Sequence, residues 1–220
     1  MDRKKAIAEV KRVFSAYRKI RPSDQKLLKA LTDGKLYELF VLAYVVRDLT
    51  ARGFSLTFVG KSLKFKAGPG YIKLSDPHFE VIPPRASSSS LRLFVNIEFE
   101  TLGAAVAAVP DLSCHHEIDI VVVADVTTGR PTYDQIMLGV ECKSEASLKK
   151  ETLKEVLGIR RELSYLDKPS PSYLTMLGGS SVDVPARPPS EYWLAFIDPT
   201  ATQYSASPAR FGIQFTHIPI

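Results

Sequence analysis

Residues 116–143 read HEIDIVVVADVTTGRPTYDQIMLGVECK, and this stretch decides the fold. Two runs rich in β-branched residues, HEIDIVVV and QIMLGVECK, flank a polar loop and are predicted to be strands. Alternation places Glu117, Asp119, Val121 and Val123 on one face of the first strand, and His116, Ile118, Ile120 and Val122 on the other. Both faces turn apolar toward the end of the run, the mark of an interior strand covered on two sides. Asp119 therefore falls where a lone carboxylate is strongly disfavoured unless it is paired or bound to a cation. In the second run Glu141 and Lys143 are two apart and project from one face, while Cys142 points away.

On the C-terminal side, SEASLKKETLKEVLGIRRELSYL is predicted to be a helix capped by Ser144 or Ser147, with Leu148, Thr152, Val156, Ile159, Leu163 and Leu166 as its inner stripe. Lys149, Lys150, Lys154, Arg160 and Arg161 lie mostly outside that stripe, among Glu151, Glu155 and Glu162. Residues 167–190, rich in Pro, Ser and Gly, are expected to form a long irregular loop. EYWLAFID then reads as a core strand with Trp193 interior, and FGIQFTHIPI as a closing strand.

On the N-terminal side, KLYELFVLAYVVRDL is apolar nearly all round, which predicts a largely buried helix. Glu38 is its exception, one turn in, where a carboxylate favours the positive end of the helix dipole. FSLTFV, LKFKA and YIKL, split by Gly60 and by Gly68-Pro69-Gly70, read as a strand and a hairpin. Pro83-Pro84 and the serine run 87–90 predict a mobile loop, LRLFVNIEFETL another strand, and AAVAAV a short helix or turn.

The length suits one globular domain, 34–220, preceded by a basic helical segment, 1–33. Residues 1–35 carry eleven Lys/Arg against four acids, so they are more basic than the whole chain, whose net charge is +5. Ile7, Val10, Val13, Phe14 and Tyr17 recur at helical spacing; Pro22 ends that helix and Ser23 can cap a second one through Leu31. The segment reads equally as a phosphate-binding helix or as the solvated face of a docked one. Two cysteines argue against a disulfide framework and suit a cytoplasmic location. No apolar run is long enough for a membrane span, and no signal peptide is expected.

Asp119 followed by Glu141-Cys142-Lys143 resembles the PD-(D/E)XK phosphodiesterases, the restriction-endonuclease-like superfamily; Ile118 stands where the family's name has proline. The resemblance covers about residues 34–198 and implies an α/β fold with an αβββαβ core, a mixed central sheet flanked by helices. It implies a Mg²⁺-dependent endonuclease acting on DNA, with Mn²⁺ able to substitute and with RNA left open as substrate. Asp119 and Glu141 would hold the metal, helped by the Cys142 carbonyl and by Glu38 from the first core helix. Lys143 would orient or help deprotonate the attacking water. His116, Lys149, Arg160 and Arg161 fall where substrate phosphates would be met. Specificity would come from loops, a homodimer or a partner protein, and roles in bacterial defence or restriction follow by analogy.

Cys114-His115-His116 offers a zinc reading, but only His78 and His217 remain to complete four ligands, and neither has motif spacing. No P-loop, zinc finger or helix-turn-helix motif is present. The competing functional expectation is a catalytically silent nuclease-fold subunit that binds nucleic acid or a partner protein.

Overall fold

The computed structural model describes residues 2–85, 91–109, 111–124, 126, 128–145 and 147–220; the serine run 87–90 lies outside them. Three helices lead: α1 (Arg3–Phe14), α2 (Pro22–Ala30) and α3 (Asp33–Ala51). Five strands follow: β1 (Ser55–Val59), β2 (His78–Ile82), β3 (Leu91–Glu100), β4 (His115–Ala124) and β5 (Ile136–Lys143). Then come α4 (Lys150–Leu163), β6 (Tyr165–Pro171), α5 (Tyr173–Met176), β7 (Asp183–Arg187), β8 (Glu191–Phe196), α6 (Ala206–Ala209) and β9 (Ile213–His217).

The chain is α/β. Seven strands form one mixed sheet in the order β1-β2-β3-β4-β5-β8-β9. β1 to β5 pair antiparallel, and β8 and β9 add in parallel to β5. The strand that carries Asp119 is thus central, as its doubly apolar end requires. Helices cover both faces. Val10, Phe14, Leu42 and Val46 of α1 and α3 pack on Leu93, Ile120, Val122 and Val140. Val156 and Leu163 of α4 pack with Val121, Val123, Tyr192 and Leu194 on the opposite face.

α3 is apolar around most of its girth because it lies between α1 and the sheet; the Thr32 hydroxyl caps it by accepting the Lys35 N–H at 3.3 Å. The basic N-terminal segment belongs to the same core. α1 buries Ala6, Val10, Val13 and Phe14, and the Asp2 carboxylate caps it. α2 begins at Pro22 after the N-cap Arg21, rather than being capped by Ser23. Its Asp24 is 1% exposed and accepts the backbone N–H of Arg21 and of Leu63, with Arg18 3.1 Å away.

Three expectations change. LKFKA and YIKL make no hairpin: Ile72 forms only an isolated bridge to Gly129, and the strand that joins β1 to β3 is HFEVI, whose flanking Pro77 and Pro83-Pro84 disguise it. Residues 167–190 are not a structureless loop, since β6 and β7 pair as a separate two-stranded sheet around α5. α4 starts at Lys150, after both predicted serine caps, and ends before Leu166, which is exposed. No helix among the described residues is long and apolar enough to cross a membrane.

The C-terminal part of α3 is tied to β8 by a buried ion pair. Arg52 donates to both carboxylate oxygens of Glu191, at 2.9 and 2.6 Å, and Ser172 Oγ adds a third donor at 2.7 Å. Both charged side chains are nearly inaccessible, at 6% and 1%. Removing one partner strands the other's charge in the core. Arg52→Ala should therefore lower the unfolding free energy by about 3–5 kcal/mol, read from urea melts at neutral pH. A loss no larger than that of a surface ion pair would refute this role.

Candidate active site

Asp119, Glu141 and Lys143 come together where β4 and β5 meet. Their register pairs Ile120 with Val140, and one step further along the strands Asp119 lies beside Glu141. The Cys142 N–H donates to Asp119 Oδ2 at 2.7 Å, which locks the aspartate to the neighbouring strand. Lys143 Nζ lies 3.1 Å from Glu141 Oε1 and 3.7 Å from Glu155 Oε2 of α4.

Simple alternation does not hold through Asp119. Ile118 packs in the same layer as Val121 and Val123, whereas Ile120 and Val122 belong to the opposite layer. β3 changes faces at the same height: Leu93 and Val95 lie in one layer and Ile97 and Phe99 in the other. The hinge is Asn96, fully buried, with φ +53°, a left-handed conformation that a non-glycine residue seldom adopts. The β3–β4 pairing runs to Val95↔Ile120 and resumes at Ile97↔Ile118, so Asn96 stands across from Asp119 at the break.

Asn96 ties this break to α3. Its Oδ1 accepts Lys35 Nζ at 3.2 Å, and its Nδ2 donates to the Lys66 carbonyl at 2.8 Å and lies 3.5 Å from Glu38 Oε2. Lys35 Nζ also donates to Glu38 Oε2 at 2.8 Å. The glutamate singled out on α3 thus reaches the site, and Lys35, Asn96 and Glu117 join it. Two of these additions carry a signal in the sequence: Lys35 is one turn before Glu38, and Asn96 is the one uncharged polar residue in LRLFVNIEFE.

Burial governs the electrostatics. It raises the carboxyl pKa of Glu38, Glu117, Asp119 and Glu141 above the ordinary range. For Glu141 the negative charge of Asp119 adds to burial, and its pKa is pushed up to about 8. At Asp119 the Cys142 N–H and the charges of Lys35 and Lys143 work against the desolvation. Burial also disfavours the Lys143 ammonium, but Glu141 and Glu155 outweigh it and raise its pKa. Lys143 is accordingly a stable cation, suited to holding water or phosphate rather than to removing a proton.

The other expected residues have different fates. His116 is half-buried against Phe99, with ring centroids 6.4 Å apart. Lys149 is exposed at the N-cap of α4, and the Arg161 guanidinium lies 5.1 Å from the centre of the Tyr165 ring. Arg160 is not a surface phosphate contact: it is 3% exposed, donating to the carbonyls of Phe211 and Ser190 and to Ser190 Oγ. It lies on the apolar stripe, four residues after Val156 and three before Leu163, so its stem is drawn inside with them.

Among the described residues, no three His, Cys, Asp or Glu side chains are grouped to hold a metal ion. That includes Cys114, His115 and His116. Cys114 Sγ lies against Asp111, His78 Nδ1 against the Asp76 carbonyl, and His217 Nε2 against the Ile197 carbonyl. The Asp119–Glu141 pair still suits a hard cation. Its donors are oxygens, they are short of countercharge, and Mg²⁺ keeps several waters and needs only one or two protein carboxylates. Compared with known proteins, the chain matches no family model, no curated protein and no solved structure.

In metal-free buffer burial and the Asp119 charge push the Glu141 carboxyl up to about 8, against about 4.5 in the unfolded chain. The folded state is the better proton binder between those values, so stability falls as pH rises through the window. Glu141→Gln removes the share of this dependence that Glu141 contributes, leaving that of Glu38, Glu117 and Asp119, and should gain on the wild type between pH 5 and 8 by up to about 1.4 kcal/mol per pH unit. Urea melts in EDTA at several pH values check this; parallel curves for the two proteins would contradict it.

Proposed function

We propose that this chain is a metal-dependent endonuclease of the PD-(D/E)XK type, hydrolysing phosphodiester bonds in DNA. The observation that carries the reading is the juxtaposition of Asp119 and Glu141 on neighbouring strands with the Lys143 ammonium beside them. The element order supports it: α3, three antiparallel strands β3 to β5, α4, then β8 parallel to β5, resembles the αβββαβ core of that superfamily. Glu38, reaching the same place from the first core helix, supports it further.

In this reading Asp119, Glu141 and the Cys142 carbonyl hold a Mg²⁺ or Mn²⁺ ion, with Glu38 as a further oxygen donor. The chemistry such an ion supplies when bound is Lewis acidity toward the phosphate and the attacking water. Lys143 orients that water and offsets the charge that builds on the phosphate oxygens. Lys35 neutralises Glu38 and Asp119 while no ion is present, which keeps a cluster of acids tolerable in the fold. Asn96 fixes Lys35 and Glu38 relative to β3, the strand paired with β4.

A second reading, a silent nuclease-fold subunit binding nucleic acid or a protein, is favoured by one observation: Lys143 and Glu38 are each already paired within the chain. Cleavage decides between them. Purified protein should nick supercoiled plasmid or cut single strands with Mg²⁺ or Mn²⁺ and not with EDTA. Lys143→Ala should slow cutting by about 10²–10³-fold, and Asp119→Ala should abolish it. Activity that survives in both variants would sink the assigned site; absence of cutting by any form, with no Mn²⁺ binding that depends on Asp119, would favour the silent subunit.

A further inference from the structure

The segment 61–73, KSLKFKAGPGYIK, holds Lys61, Lys64, Lys66 and Lys73 and no acidic residue. It is anchored beside the acidic cluster, not free of it. The Lys66 carbonyl accepts Asn96 Nδ2 at 2.8 Å, the Gly70 carbonyl accepts the Glu98 N–H at 3.1 Å, and Ile72 bridges to Gly129. Two depressions meet along it at Lys66 and Ala67. One, of about 140 Å³, is walled by Leu31, Leu63 and Phe65 and bounded by Lys35, Glu38 and Lys64. The other, of about 480 Å³ and open to solvent, is bounded by Lys66, Tyr71, Lys73 and Arg130 and by the acids Asp76 and Glu98, with Lys66 Nζ held 3.1 Å from Asp76 Oδ2. A shelf whose cations outnumber its acids, with Lys64 and Lys73 exposed on it, therefore runs up to the residues that surround Asp119.

Tyr71 stands on this shelf half-exposed, with the Arg130 guanidinium 4.3 Å from its ring centre. Arg130 is itself held by Glu98, which accepts its Nε and Nη2 at 2.9 and 2.7 Å. The ring is thus backed by a fixed cation on one side and has free area for another flat group. Gly68 and Gly70 keep the floor of the shelf low. A tethered aromatic ring among spaced cations is a place where an unpaired base stacks while its phosphates follow the lysines. A duplex keeps its bases inside the helix and offers no face to such a ring.

Building on the endonuclease reading, we infer that the site takes single-stranded nucleic acid, seated along 61–73 with one base on Tyr71 and its backbone directed by the exposed Lys64 and Lys73 toward Asp119 and Glu141. This places substrate contacts on the β1–β2 connection rather than on α4. An acidic polypeptide would use the cations but not the ring, so the ring discriminates.

The test is binding without cleavage: fluorescence anisotropy of a labelled 20-nucleotide probe in EDTA, as single-stranded DNA, single-stranded RNA and duplex DNA. Single strands should bind at least about tenfold more tightly than duplex. Tyr71→Ala should weaken single-strand binding about tenfold, and Tyr71→Trp should restore it. Lys64→Ala with Lys73→Ala should reduce the slope of log K against log salt by about 1.4. All three positions are exposed, so the substitutions leave the core intact, and circular dichroism of the variants verifies that. Equal affinity for duplex, no effect of Tyr71→Ala, or equal competition by polyglutamate would each overturn the inference. Single-strand binding that needs Tyr71 in a protein that never cuts would uphold the shelf and remove the endonuclease reading. Cutting unaffected by Tyr71→Ala would do the reverse.

Discussion

Carboxylates set between two apolar layers are the constraint around which the rest of this molecule is arranged. Glu38, Glu117, Asp119 and Glu141 all lie where burial disfavours their charge, and the like charges oppose one another. The chain meets this with two lysines, Lys35 and Lys143, drawn from different faces of the sheet. It also supplies a backbone N–H to Asp119 and a buried asparagine beside Glu38. Folding alone would be served better by leucines at these positions, as replacements of buried ion pairs show in general. Retaining the acids makes sense where a cation is to be held.

The contrast with Arg52 and Glu191 is instructive. That pair is also buried, but its charges match, its geometry is bidentate, and Ser172 adds a further donor to the carboxylate. It joins α3 to β8 and needs nothing from outside. The acidic cluster does not reach that balance with its own lysines. The two charged groups therefore play opposite parts: the deeper one, at Arg52 and Glu191, closes the structure, and the shallower acidic cluster leaves it open to a ligand.

Much of this was legible in the sequence because it depends on local periodicity. The interior position of β4, the pairing of Glu141 with Lys143 on one face and the buried helix around Glu38 all follow from spacing within a single element. What escaped depends on contacts between distant segments. Arg160 reads as a surface charge until the carbonyls of Ser190 and Phe211 arrive to receive it. HFEVI is short and flanked by prolines, so it becomes a strand only between β1 and β3. The roles of Lys35 and Asn96 require the change of face at the β3–β4 break, and alternation assumes that no such change occurs.

That break at Asn96 also acts as a vernier between neighbouring strands. A regular strand can slide by two residues and still present its apolar side chains to the same layer. β3 cannot, because the point at which it changes faces must coincide with the point at which β4 changes faces. Any slip would put isoleucine and valine on the wrong side of one strand while the other stayed correct. The same residue that places Lys35 and Glu38 therefore sets the alignment on which the position of Asp119 depends, so that strand registration and the assembly of the acidic centre are a single event.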